Sequence, residues 1–241
     1  MLRLTHLTPS LLLNRLLPAP CLLCGLANAD YALLCPECDT ALPRLCNQPF
    51  LCRCCALPLA SDAPLCGKCL QSPPAFSQSS IAFSYVHPLD YLIQQFKYRH
   101  QLSSGKLLAR LLRETCQQSV QPELLVPVPM HWRKRWQRGF NQSELMAHWV
   151  GKALNIPVLS ACRQTHHHHS QKGLGRRERL KNQRQSFALN PAAAPKLRGR
   201  HVALVDDVVT TTATVRALSE LLINAGAQQV DIWALARTPD H

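Results

Sequence analysis

Acidic side chains are scarce in this chain of 241 residues. Aspartate and glutamate together number 14 against 27 lysines and arginines, which gives a net charge of +13 with neutral histidines. This imbalance favours anionic partners such as phosphates. Because only 17% of the residues are charged and 46% are hydrophobic, the composition excludes a disordered chain and predicts a packed core.

Long apolar runs are also missing. The Leu-rich start is interrupted by Asn14, Arg15 and Pro18, so it does not reach the roughly 18 residues that a membrane-spanning helix needs. The start also lacks the pattern of a cleavable signal peptide. We therefore expect a cytoplasmic protein without a membrane span, with room for one ordinary domain and a small accessory module.

Cysteine, in contrast, is abundant, with twelve residues in the chain. Cytoplasmic thiols are kept reduced, so disulfides do not explain this number. Eight of the cysteines form a repeat with an offset of 31 residues, in which each half has the pattern C-x2-C-x10-C-x2-C. The two halves consist of Cys21, Cys24, Cys35 and Cys38, and of Cys52, Cys55, Cys66 and Cys69.

Four thiolates in each half are the ligand set of a structural zinc site, since Zn²⁺ is redox-inert and accepts tetrahedral sulfur coordination. Core cysteines and redox-active C-x-x-C pairs are the alternatives, and the repeated spacing favours zinc. We expect two zinc ions, one in each half, rather than a cross-braced arrangement. The remaining cysteines are expected to be buried as small apolar residues, and they are Cys46, Cys54, Cys116 and Cys162.

A turn-rich connector at residues 71–74 follows the repeat, and cysteines become rare beyond it. Strand and helix patterns then alternate, which is typical of a parallel sheet flanked by helices. Strands are predicted at 81–86, 124–128, 202–205 and 230–235, and helices near 89–96, 105–116, 141–154 and 215–225. We therefore predict a zinc-ribbon module in residues 1–75 and an α/β domain in residues 76–241.

Positive charge is concentrated in residues 131–200, which hold fifteen basic residues against two acidic ones. Cations that contact phosphates and aromatic rings that stack on bases are what a site for single-stranded nucleic acid requires. The basic residues assigned to such a site are Arg133, Lys134 and Arg135, and the aromatic candidates are Trp132, Trp136, Phe140 and Trp149. The histidine run at 166–169 is interpreted as a solvated insert, because consecutive side chains rarely converge on one metal ion.

A second anion site is predicted at residues 202–214. An apolar strand delivers Asp206 and Asp207 to the carboxyl edge of the sheet, where ligands bind in open α/β folds. A threonine-rich turn then leads into a helix, whose free backbone N–H groups can bind a phosphate. Because carboxylates can accept hydrogen bonds from sugar hydroxyls or hold hydrated Mg²⁺, the segment suits a phosphorylated sugar.

This segment resembles the phosphoribosyl pyrophosphate (PRPP) motif of type I phosphoribosyltransferases, apart from Thr212, where that family usually has glycine. Further matching pieces are the cysteine repeat, residues 95–98, 126–129 and 138–142, and the series Gln171, Leu174, Arg179 and Asn182. With them, nearly the whole chain resembles the ComF family, also called GntX-like. Members of that family join a double zinc ribbon to a phosphoribosyltransferase-like domain.

The resemblance implies roles for individual residues. Asp206 and Asp207 would bind the ribose hydroxyls, and Lys97 and Arg138 would neutralise the pyrophosphate, with Arg179 arriving from a lid. The PRPP-binding loop would consist of Val208, Val209, Thr210, Thr211, Thr212, Ala213 and Thr214. PRPP with Mg²⁺ is the implied ligand, and uptake or utilisation of external DNA, with the DNA-uptake machinery as partner, is the implied process.

Three functions follow from these expectations. The first is a Mg²⁺-dependent phosphoribosyltransferase, in which a nucleophile displaces pyrophosphate from C1 of the ribose. The second is a non-catalytic protein that binds single-stranded nucleic acid and retains the PRPP-type site, since a fold can outlast its chemistry. A regulator that senses a PRPP-like ligand is a third. No motif specifies an acceptor substrate.

Overall fold

The computed structural model describes residues 20–26, 33–165 and 186–239. The chain divides into two compact units, Met1–Leu42 and Pro43–His241. The division falls between the two halves of the cysteine repeat, so the second half shares a unit with the sheet. The domain boundary at residues 75 and 76 stays a prediction.

The described residues of the unit Met1–Leu42 include the first four cysteines. The Gly25 N–H donates to the Cys21 carbonyl at 2.9 Å and closes a tight turn. Helix α1, Pro36–Thr40, begins directly after Cys35, with proline at its first position. Proline suits that position because its missing N–H would have no partner within the helix.

The second unit contains a four-stranded parallel sheet. Its strands are β1, Ser79–Ser84; β2, Leu124–Pro127; β5, His201–Val209; and β6, Gln229–Arg237. Their spatial order is β1-β6-β5-β2, and every neighbouring pair is parallel. The central strand β6 is buried from Val230 to Arg237, and β5 is buried from Val202 to Val205, as expected for strands that are covered on both faces. The predicted α/β class is confirmed.

Helices flank this sheet. They are α2, Gly67–Gln71; α3, Leu89–Tyr98; α4, Leu102–Cys116; α5, Trp132–Arg138; α6, Gln142–Leu154; α7, Ala194–Leu197; and α8, Ala213–Asn224. A small antiparallel pair is formed by β3, Cys162–Gln164, and β4, Phe187–Leu189. Within the described ranges, no helix has the length and apolar character needed to cross a bilayer.

Close packing between α3 and α4 requires a glycine. The ring of Phe96, which is 1% exposed, lies so near Gly105 that a Cβ there would come within 2.5 Å of it. Helix α4 begins at Leu102, three residues before the predicted start, so it follows α3 after a short connection. This contact fixes the C-terminal end of α3, where Lys97 lies.

Strand β5 is longer than predicted, and the reason bears on the site. Its partner β2 ends at Pro127, opposite Val205, whereas β6 continues to pair with β5 as far as Val209. Asp206 and Asp207 therefore lie inside β5 but beyond the end of β2. The two carboxylates lie at the carboxyl side of the sheet, as predicted, and β5 continues for two residues beyond them.

Candidate functional site

The eight cysteines of the repeat form two groups, and in each group the four sulfur atoms lie within 4.8 Å of one another. Tetrahedral coordination with Zn–S bonds of about 2.3 Å separates the sulfurs by about 3.8 Å. The Sγ atoms of Cys24 and Cys35 are 3.9 Å apart, and those of Cys55 and Cys66 are 3.7 Å apart. The donor atoms and their spacing therefore fit zinc, in the sequential grouping that was predicted.

Both groups open with the same turn. In the second group the Ala56 N–H donates to the Cys52 carbonyl at 2.8 Å, as Gly25 does to Cys21 in the first. Gly25 has a φ of 74° and Ala56 a φ of 52°, so the alanine adopts the left-handed conformation that glycine occupies without strain. The second turn keeps the geometry of the first in spite of its side chain.

Backbone hydrogen bonds prepare one thiol in each group for deprotonation. Burial raises the pKa of Cys52, but hydrogen bonds from backbone N–H groups outweigh burial and lower the pKa to about 7. One of these is donated by Cys66 N to Cys52 Sγ at 3.3 Å. The pKa of Cys21 is lowered to about 6 by the same balance, whereas burial raises the pKa of Cys69 to about 12.

The cysteines outside the repeat differ in exposure. Cys54 and Cys116 are buried, as expected, and Cys162 is half-buried. Cys46 is exposed, so its expected burial is wrong. It lies in the short 3-10 turn Leu45–Asn47, in which Leu45 takes the inward position with 1% exposure.

The acidic pair Asp206 and Asp207 is held by residues from two helices. Lys97 Nζ, at the end of α3, lies 2.7 Å from Asp207 Oδ2, and both side chains are largely buried. Ser143, in the first turn of α6, donates its hydroxyl to Asp206 Oδ1 at 3.0 Å. The Asp207 N–H donates to the same oxygen at 2.9 Å. The structure thus brings predicted Lys97 to the predicted carboxylates.

Burial and mutual repulsion shape the charges of this cluster. Burial raises the pKa of Asp206 to about 7, and the negative charge of Asp207 adds to the rise, while Lys97 and hydrogen bonds oppose it. For Lys97, burial lowers the pKa, but attraction to Asp207 outweighs burial and the net pKa is raised. Lys97 therefore remains a cation paired with Asp207, while the adjacent Asp206, with its pKa near 7, can gain or lose a proton near neutral pH.

The threonine-rich loop follows β5 directly. Thr212 is the residue before α8 and has a φ of 63°, in the left-handed region that favours glycine. Its hydroxyl donates to the Thr211 carbonyl at 2.6 Å. A cavity at the start of α8 is lined by Asp206, Val208, Val209, Thr210, Thr212, Ala213, Thr214 and Val215. Most of the predicted loop therefore shares one cavity with Asp206.

Arg237, at the end of β6, supports this loop, and no sequence pattern predicted this role. Arg237 is 2% exposed, and its guanidinium donates to the carbonyls of Val209, Thr210 and Thr238. Ser143 was also missed, because a serine in the first turn of a capped helix is an ordinary feature of sequences. Arg237 holds the backbone of the loop, and Ser143 holds the carboxylate of Asp206.

Arg138 lies at the same end of α3 as Lys97. Its guanidinium donates to Tyr98 Oη and to Gln142 Oε1, each at 3.2 Å, and lies 4.9 Å from the centre of the Tyr98 ring. Two of the predicted pyrophosphate-binding cations, Lys97 and Arg138, are thus close together, because Arg138 contacts Tyr98, the residue after Lys97. The third, Arg179, lies outside the described residues, as do residues 166–169 and the other members of the series that began at Gln171.

Helix α5 presents an exposed surface that is both basic and aromatic. Trp132 and Trp136 are 65% and 85% exposed, and the Arg133 guanidinium lies 5.3 Å from the centre of the Trp132 ring. Lys134 is exposed, whereas Arg135 pairs with Glu144 at 3.1 Å.

The other two aromatic candidates of the basic segment have a different setting. Phe140 and Trp149 pack against Phe96, with ring centres 5.3 and 6.0 Å apart. They therefore belong to the packing between α3 and α6 rather than to the exposed surface of α5. Only Trp132 and Trp136, among the four candidates, are free to meet a ligand there.

The parallel sheet, the acidic pair and the loop that runs into α8 define a phosphoribosyltransferase-type domain, and the family model described as "Phosphoribosyl transferase domain" matches residues 154–241. The chain is 34% identical over 211 residues to competence protein F of Haemophilus influenzae, covering 85% of this chain and 90% of that protein. It is also 34% identical to the DNA utilization protein YhgH of Salmonella typhimurium, covering 90% and 97%. The chain belongs to the ComF family.

Among solved structures, an adenine phosphoribosyltransferase from Leishmania tarentolae aligns with 66% of this chain and 76% of its own. The two are 13% identical and the TM-score is 0.40. At this score the alignment adds nothing to the fold assignment, which follows from the sheet order and the family match.

Proposed function

We propose that this protein binds PRPP together with Mg²⁺, as a ComF-type phosphoribosyltransferase-like protein that serves the uptake or utilisation of external DNA. The observation that carries the proposal is the cluster of Asp206, Asp207 and Lys97 beside the loop at the start of α8. The relatives named competence protein F and DNA utilization protein support the link to DNA. A cytoplasmic location, where thiols stay reduced, and two bound zinc ions belong to the same proposal.

The 5′-phosphate is assigned to the loop. Backbone N–H groups at the start of α8 have no partner inside the helix and lie at its positive end, so they favour an anion. The hydroxyls of Thr210 and Thr214 line the same cavity and can add hydrogen bonds. The ribose hydroxyls are assigned to Asp206, which lines this cavity, and to the adjacent Asp207.

The pyrophosphate is assigned to the cations at the end of α3. Lys97 and Arg138 would neutralise its charge, with Arg179 as a third contributor. The carboxylates are oxygen ligands of the kind that Mg²⁺ prefers, and Mg²⁺ commonly binds through one or two carboxylates, waters and substrate phosphates. Both hydrogen bonds to Asp206 are accepted by Oδ1, so we assign Oδ2 to the ligand or to the hydrated ion. When bound, Mg²⁺ supplies further positive charge against the pyrophosphate.

Group transfer is the chemistry that this charge distribution would favour. Displacement of pyrophosphate from C1 passes through an oxocarbenium-like state in which negative charge grows on the leaving group. Preorganised cations such as Lys97 and Arg138 stabilise such charge. Release of pyrophosphate in the presence of candidate acceptors is the assay that separates transfer from binding alone.

The test of the binding site is a titration with PRPP and Mg²⁺ in which binding is measured by calorimetry and by the change in thermal stability. We expect binding by the wild type and its loss in the double variant Asp206→Asn, Asp207→Asn, because both ribose-binding carboxylates are neutralised. Asp62→Asn is the matched control, since Asp62 is an exposed acid far along the chain in the second cysteine loop. Equal binding by the double variant and the control would contradict the proposal.

The exposed tryptophans on α5 favour a second activity, binding of single-stranded DNA. Base stacking on Trp132 and Trp136 and phosphate contacts from Arg133 and Lys134 are the interactions we assign to it. We expect an affinity that falls steeply with salt and that weakens in Trp132→Ala, Trp136→Ala. Lys152→Ala, another exposed basic position, is the control. Salt-insensitive binding, or binding that the control variant weakens equally, would contradict this proposed binding of single-stranded DNA.

A further inference from the structure

Arg216, on the second turn of α8, contacts both the second cysteine group and the threonine-rich loop at residues 208–214, here called the phosphate loop. Its Nη2 lies 3.5 Å from Cys69 Sγ, and its Nε donates to Thr212 Oγ1 at 3.1 Å. Its Nη1 donates to the Ser72 carbonyl at 2.6 Å and anchors the side chain to the connector after α2. One guanidinium therefore joins a cysteine of the second group to the residue that precedes α8.

The contact with Cys69 has a clear chemical basis. Four thiolates around one Zn²⁺ carry a net charge of about −2, and hydrogen bonds to ligand sulfurs from surrounding groups stabilise such sites. A guanidinium offers both a hydrogen bond and a positive charge. When zinc is bound, the sulfur of Cys69 attracts Arg216 more strongly than a neutral thiol does.

The contact with Thr212 bears on the shape of the loop. Thr212 has a φ of 63°, and a β-branched residue in that region is strained unless its surroundings hold it. The Arg216 bond to the hydroxyl, and the bond from the hydroxyl to Thr211, are the interactions that hold it here. Glycine at this position could make neither bond.

We propose that Arg216 is a positioning residue that couples zinc in the second cysteine group to ligand binding in the phosphate loop. Zinc holds Arg216, Arg216 holds Thr212 in its left-handed conformation, and the loop presents its N–H groups to the phosphate. Because coupling between two sites is reciprocal, ligand in the loop must strengthen zinc binding by the same factor. This inference rests on the proposed function, since it takes PRPP as the occupant of the loop.

The experiment follows the transfer of zinc from the full chain to a chromophoric chelator, with and without PRPP and Mg²⁺. We expect the ligand to slow release from the second group by at least about fivefold, within the usual range of coupling, and to leave the first group unchanged. Cys24→Ser weakens the first group and so identifies its phase. Release from both groups at ligand-independent rates, in a protein that binds PRPP by calorimetry, would overturn the coupling.

Two pairs of variants test the pathway. Thr212→Ser keeps the hydroxyl and should retain the effect of PRPP on zinc release, whereas Thr212→Gly removes the hydroxyl and should abolish that effect, each variant being compared at PRPP concentrations that saturate it by calorimetry. Arg216→Lys keeps the charge but cannot reach three acceptors at once, so it should also lose the effect. Equal slowing by PRPP in Thr212→Ser and Thr212→Gly would overturn the assignment to Arg216 and Thr212.

Failure of the proposed function gives a different result. If the wild type does not bind PRPP, the assignment of the loop to PRPP is wrong. The link itself is still measured by zinc release without ligand, which should be faster from the second group in Thr212→Gly than in Thr212→Ser. Identical ligand-free rates in those two variants would count against the link, whatever the loop binds.

Discussion

The two cysteine groups share one sequence pattern and one sulfur geometry, but their surroundings differ. In the first group only Cys21 is buried, and Cys24 is exposed. In the second group all four cysteines are buried, and they belong to the same hydrophobic core as Leu204 of β5 and Leu218 of α8. The same motif therefore forms a partly exposed group in one unit and a part of the hydrophobic core in the other.

This difference shows that a metal-binding pattern does not define what the metal does. Zinc in the first group would stabilise a short segment that has little apolar surface to bury. Zinc in the second group would also hold the core under the phosphate loop, where Arg216 contacts Cys69. The consequences of losing the metal should therefore differ more than the sequences of the two groups.

The largest expected effect comes from removing one ligand in each group in turn. Cys66→Ser should lower the free energy of unfolding of the Pro43–His241 unit by several kcal/mol, a large part of the roughly 5–15 kcal/mol typical of a domain. Cys21→Ser should change it by less than about 0.5 kcal/mol. Tryptophan fluorescence during denaturation reports on this unit alone, because it contains all four tryptophans, Trp132, Trp136, Trp149 and Trp233. Equal losses from the two variants would erase the distinction between the groups.

A smaller effect concerns pH and the loop that the second group supports. The folded pKa of Asp206 is raised to about 7, above the value near 4 of an unfolded aspartate, so the folded state binds this proton more tightly. Stability without ligand should fall as pH rises from about 4 to about 7, and PRPP affinity should rise through pH 7 as the carboxylate ionises. Melting temperatures and calorimetry between pH 5 and 8 measure both trends.

Asp206→Asn provides the control for this titration. The variant cannot ionise at that position, so the loss of ligand-free stability across the window should shrink. A pH profile that is identical in the variant and the wild type would place the titrating group elsewhere.

The smallest expected effect compares the two turns. Gly25→Ala places a side chain at a φ of 74° with open space around it, so only backbone strain of about 1 kcal/mol opposes it. Ala56→Gly relieves similar strain but gives up about 0.8 kcal/mol from burial of the methyl group, so its net effect should be near zero. Competition for zinc with a chelator should therefore show weaker binding in the first group for Gly25→Ala and little change in the second for Ala56→Gly. The opposite order would mean that the turns are not equivalent.

The sequence predicted those features that depend on periodicity and spacing. The helix that includes Phe96, the helix that opens beside Asn141 and the apolar strand before Asp206 each lie where predicted. Sequential grouping of the cysteines also followed from the ten-residue spacer. Local patterns of this kind carry their own physical cause, so a single sequence is sufficient to find them.

What the sequence could not predict are contacts that depend on the assembled fold. Arg216 meets Cys69 across 147 positions of the chain, and Ser143 meets Asp206 across 63. Neither Arg216 nor Ser143 belongs to a motif. The true length of β5 was hidden for the same reason, since it depends on where its neighbours β2 and β6 end.

The most direct test of the account is a crystal structure of the protein grown with PRPP and Mg²⁺. The account predicts the 5′-phosphate within hydrogen-bonding distance of the backbone N–H groups of residues 210–214, with the ribose hydroxyls on Asp206 and Asp207. A PRPP molecule bound elsewhere, with Lys97 still paired to Asp207 and the loop unoccupied, would contradict it.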